Sequence, residues 1–160
     1  MLERTSAECN KTIIQTGIIL GIFVIGFVCA LIYVLEDSTF SLGLLWYGIG
    51  MGTVFGGAPS MMVALFLKLL NGGKWNAFGA FLISGVGLLV ILLIFDFIAG
   101  IISNFGISKN LILVIAILCF FVAEVVQLLN TIKEYKVAVE QEANPNIYSS
   151  NQDENEWLLK

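Results

Sequence analysis

Four long apolar runs, separated by short polar stretches, dominate the chain at residues 13–35, 42–70, 75–102 and 111–132. A helix that crosses roughly 30 Å of hydrocarbon needs about 20 mostly apolar residues, and every run is long enough. The connections are too short to hold a domain. The pattern therefore predicts an all-α integral membrane protein whose four transmembrane helices form an up-down bundle. The first run is too long for the apolar region of a signal peptide and no A-x-A-like site follows Leu35, so it is expected to stay as a span. Asn71-Gly72-Gly73 is turn chemistry, because these residues accept positive φ at low cost.

The positive charges orient the bundle. Arg4, Lys11, Lys68, Lys74, Lys133, Lys136 and Lys160 fall on one side of this topology, and Lys109 stands alone on the other. Lys and Arg close to span ends are retained in the cytoplasm, so both termini are expected inside. The expected divisions are a cytoplasmic N-terminus over 1–11, a transmembrane domain over 12–132, a cytoplasmic extension of the fourth helix over 133–143 and a flexible tail over 144–160. Asn144-Pro145 should stop the helix. The tail is acidic and poor in apolar residues, a composition that cannot fold alone.

Composition agrees with this layout. The chain is 58% hydrophobic and 12% charged, against about 25% charged in a soluble domain. Its net charge of −4 is compatible with the orientation, since acidic residues contribute little to it. Cys9, Cys29 and Cys119 suggest neither a disulfide framework nor metal spacing.

Small residues recur every fourth position in the second run, at Gly48, Gly52, Gly56, Ser60 and Ala64. Such a ladder makes a groove that a second backbone can enter closely. Two uses are open, packing within one protomer or self-association between protomers, and the preferred expectation is a homo-oligomer through this face. Pro59 interrupts the same helix and should kink it, as a static bend or a hinge.

Ionisable groups inside a membrane are expensive and therefore draw functional hypotheses. Asp96 follows Lys74 by 22 residues, about 33 Å of helix, which sets it near the outer interface. Glu124 precedes Lys133 by nine residues, about 13.5 Å, and so lies inside the hydrocarbon. Phe120, Glu124, Gln127 and Thr131 share one face of the fourth helix, and Gln15 lies at a similar depth on the first. A Gln15–Gln127 amide bond is expected. In the tail, Trp157, Leu158 and Leu159 follow acidic residues as a short apolar motif suited to a partner's groove.

Enzymatic chemistry finds no support: the chain has no His and no phosphate-binding Gly-Lys motif, and its two intramembrane carboxylates lie on opposite sides. No cofactor, metal or nucleic acid is expected. The preferred expectation is a non-enzymatic subunit of a bacterial cytoplasmic membrane that self-associates and anchors or signals to a cytoplasmic protein partner. The membrane component of a bacterial multi-protein system, for example in antiphage defence, would fit, although no motif argues for it. The alternative is a small oligomeric channel or proton-coupled transporter that uses Glu124.

Overall fold

The computed structural model describes residues 5–36, 41–104, 106 and 108–143, and these form four helices. They are α1 (Ser6–Glu36), α2 (Leu42–Asn71), α3 (Ala77–Ser103) and α4 (Lys109–Ala143). All four are long and apolar enough to cross a membrane. At about 1.5 Å per residue they measure roughly 40–53 Å, so each exceeds the hydrocarbon thickness.

Helix α1 begins well before the apolar run at 13. Thr5 and Glu8 explain this, because the Glu8 amide donates to Thr5 Oγ1 and the Thr5 amide donates to Glu8 Oε2, both at 3.3 Å. This reciprocal pair satisfies two of the donors a helix start leaves free. Ser41 and Asn76 cap α2 and α3 in the same spirit, accepting from the amides of Leu44 (3.2 Å) and Gly79 (2.7 Å). The α2–α3 turn closes through Gly73, whose φ of +66° suits glycine.

Helix α2 is central. It packs against all three other helices, while α1 and α3 lie apart on either side of it. Antiparallel pairing of α1 and α2 follows from their contacts, since Gln15 meets Asn71 at one end and Gly48 lies against Leu31 and Val34 at the other. Helix α4 runs antiparallel to α1, with Glu142 bonded to Ser6.

The small core comprises Phe23, Met61 and Ile117, with Phe27, Phe120 and Phe121 packed around it. The rings of Phe23 and Phe121 stack with centroids 4.4 Å apart. Large apolar side chains stay exposed over the outer faces, most densely on α3, where Phe78, Val86, Leu89, Leu93 and Phe97 all point outward. Exposed apolar surface on that scale is the signature of a lipid-facing bundle. Hydroxyls inside it bond back to their own helices, as Thr53 does to Ile49 O and Ser60 to Gly57 O, both at 2.8 Å. Among the described residues no buried side-chain polar atom is left without a partner.

Candidate functional site

The small-residue ladder faces α1 of the same chain. Gly48, Gly52, Gly56 and Ser60 are all buried. A Cβ on Gly52 would stand 2.8 Å from the Phe27 ring and one on Gly56 would collide with Phe23 O, so only glycine admits the α1 backbone here. Gly26 enters from the opposite side, where a Cβ would lie 2.8 Å from Gly56 Cα and 2.9 Å from Phe55 O. That carbonyl is the one a residue at 59 would normally bond, and Pro59 has no N–H to offer. Helix α2 nevertheless continues unbroken through Pro59, whose ring is exposed. Of the two uses open to the ladder, the structure thus displays packing within one chain.

The last ladder residue, Ala64, behaves differently. With Lys68 and Asn71, one and two turns further along α2, it lines an open cleft of about 620 Å³ that all four helices bound. Helix α1 contributes Thr12, Gln15 and Ile19, α3 contributes Ile91 and Phe95, and α4 contributes Ala116, Phe120, Glu124 and Gln127. One face of α2 therefore passes from a dry seam into a partly polar cleft.

Three of the four intramembrane polar residues singled out from the sequence meet here, namely Glu124, Gln127 and Gln15. The expected Gln15–Gln127 bond is not formed. Gln15 instead makes a two-way amide pair with Asn71, its Nε2 donating to Asn71 Oδ1 at 3.2 Å and its Oε1 accepting from Asn71 Nδ2 at 2.8 Å. The reason is helical extent: α2 includes Asn71 in its last turn, which brings that amide to the α1 face, whereas the sequence marked it only as turn chemistry. Among the described residues Glu124 makes no hydrogen bond or ion pair. Among the described lining residues Lys68 is the one basic group, and it is exposed and unpaired with Glu124.

The cleft is polar toward one end. Thr12, Gln15, Lys68, Asn71 and Gln127 occupy the lysine-rich end of the bundle, while Ile19, Met61, Ile91, Phe95, Ala116 and Phe120 line the deeper part. Missing from the sequence reading were Asn71, Lys68 and the α3 pair Ile91 and Phe95. The first two were within reach, because continuing the every-fourth-residue count beyond Ala64 arrives at Lys68 and its face-mate Asn71.

Asp96 is exposed and outside the cleft, and it does not pair with Lys109, whose Nζ would lie 3.5 Å from a Cβ on Gly100. Helix α4 continues to Ala143. Near its end, the Ser6 Oγ donates to Glu142 Oε2 at 2.8 Å and the Ser6 amide to Oε1 at 3.1 Å. These bonds, the hydroxyl's first, hold the Glu142 carboxyl below the usual carboxylate range. Trp157, Leu158 and Leu159 lie outside the described residues. Among those described, no group of three or more His, Cys, Asp or Glu is placed to hold a metal. Comparison with family models, with curated proteins and with solved structures finds no match.

Proposed function

We propose that this chain is a non-enzymatic protein of a bacterial cytoplasmic membrane, both termini inside, that works as a small proton-coupled transporter or channel through the Glu124 cleft. One observation carries the reading: a carboxylate without a partner among the described residues lines a cleft bounded by all four spanning-length helices. A carboxylate in apolar surroundings is expensive unless a proton or a cation neutralises it. Purified protein in proteoliposomes should therefore carry a proton or monovalent-cation flux that Glu124→Gln abolishes. Equal flux through both proteins would end this reading.

A second reading, a subunit that docks a cytoplasmic protein, draws on the length of α4, whose last turns run past Lys133 and Lys136 and are tied to α1 through Glu142. Its docking peptide would be Trp157, Leu158 and Leu159. Deleting residues 155–160 should release a copurifying partner under that reading and leave flux untouched under the first. Because α1 lies against Gly48, Gly52 and Gly56 within the chain, a homo-oligomer in either case would use another face or exchange that contact between protomers. For the topology, cysteines at Ser38 and Ser108 should label from outside with an impermeant reagent and one at Ser150 should not.

A further inference from the structure

The cleft is far larger than a proton or a bare metal ion needs. Its 620 Å³ lies within the roughly 300–1,000 Å³ typical of sites for organic ligands. Its chemistry is also divided, with amides and the hydroxyls of Thr12 and Thr16 toward the lysine-rich end, a carboxylate without a partner among the described residues between, and apolar side chains beyond. Hard divalent cations gather several oxygen ligands with carboxylates foremost, and Glu124 is the only carboxylate among the described lining residues. An organic cation makes the opposite demand. It needs one counter-charge, aromatic faces beside it and hydrocarbon around its body.

Phe120 stands one turn before Glu124 on α4, and Phe95 closes the α3 side of the same cleft. A cation held at the carboxylate would have the Phe120 ring one turn away on the same helix face, and an aromatic neighbour of that kind attracts it electrostatically. Ile19, Met61, Leu65 and Ile91 would cover its apolar part. Lys68, exposed among the residues of the polar end, disfavours a dication there by like-charge repulsion while leaving room for a single charge deeper in.

Resting on the cleft reading above, we infer that the ligand of this site is an amphipathic organic monocation, held by Glu124 through its charge and by the apolar end through its body. The probe is radiolabelled tetraphenylphosphonium, with neutral triphenylphosphine oxide as its counterpart of similar shape, in equilibrium binding to the full chain in mild detergent. The cation should bind saturably, and Glu124→Gln should weaken it about tenfold or more, the loss expected of a desolvated charge contact. Ile91→Trp, which keeps the carboxylate and fills the apolar end, should weaken it comparably, so the outcome does not hang on the folding of one variant. Glu124→Asp should retain binding, and the neutral compound should bind wild type and Glu124→Gln alike and weakly.

Cation affinity unchanged in Glu124→Gln, or a neutral compound that binds as tightly as the cation, would overturn the inference. A copurified phospholipid that the cation fails to displace would overturn it also. If tetraphenylphosphonium does not bind while Glu124-dependent proton flux persists, this ligand class is wrong and the transport reading stands. If both fail, both fall.

Discussion

The α1–α2 seam and the cleft are neighbouring stretches of the same α2 face, yet they solve opposite problems. Along the seam, side chains have been removed until backbones touch, and attraction comes from many close atom pairs where the hydrophobic effect between helices is absent. Four residues on, at Ala64, the cleft begins, and polar groups appear that a lipid environment would penalise. The seam supplies rigidity and the cleft supplies chemistry. A bundle this small can close the α1–α2 interface tightly and still hold an open cleft beside it.

The sharpest way to break that contrast is to thicken the seam. Gly56→Val places a branched side chain against Phe23 O and the Phe27 amide, both backbone atoms that cannot swing aside. Ordinary overpacking costs about 1–3 kcal/mol, and this site should reach or exceed the upper end. We expect a large drop in thermal midpoint, or loss of monodisperse protein, in detergent. A Gly56→Val protein that keeps its midpoint but sheds oligomer mass would assign the ladder to contacts between chains instead.

At the mouth of the cleft the effect should be smaller. Interhelical polar pairs in membranes contribute about 0.6 kcal/mol on average and at most about 1.7. A double-mutant cycle with Gln15→Leu and Asn71→Leu should return a coupling in that range, and the same cycle on Gln15 and Gln127 should return none. Reversal of the two results would restore the pairing read from the sequence.

Smaller still is the tie between Glu142 and Ser6, an exposed contact screened by water. The folded carboxyl sits below its unfolded value, so the contact contributes stability above the ordinary Glu range near about 4.3 and loses it as pH falls through the lower folded value. Wild type should lose slightly more thermal midpoint than Glu142→Gln on going from neutral to strongly acidic buffer. Identical acid profiles in the two proteins would remove the contact from the account.

Apolar run lengths were enough to identify four helices long and apolar enough to span a membrane, because in lipid the backbone must satisfy itself within each segment. The start of α1 was legible too, in Thr5-Ser6-Ala7-Glu8, but a polar capping box is easily passed over beside a long apolar run. The ladder announced close packing and not its partner, since Gly52 or Gly56 accepts any approaching backbone and only the fold decides whose it is. Glu124 and Gln127 were visible as a polar stripe. Their cleft was not, because Ile91 and Phe95 look like any other apolar residues of a span, and only the cleft that all four helices bound gives them a role.

The meeting of Gly26 with the carbonyl that Pro59 leaves unbonded bears on how the protein is made. It joins the first two helices, and the atoms nearest Gly26 all belong to α2. Neighbouring elements joined by a short connection close at little entropic cost, and chains emerging during synthesis fold their leading parts first. The hairpin of α1 and α2 can therefore set while the ribosome is still producing α3, and Glu124 is delivered last, to a wall that is already standing.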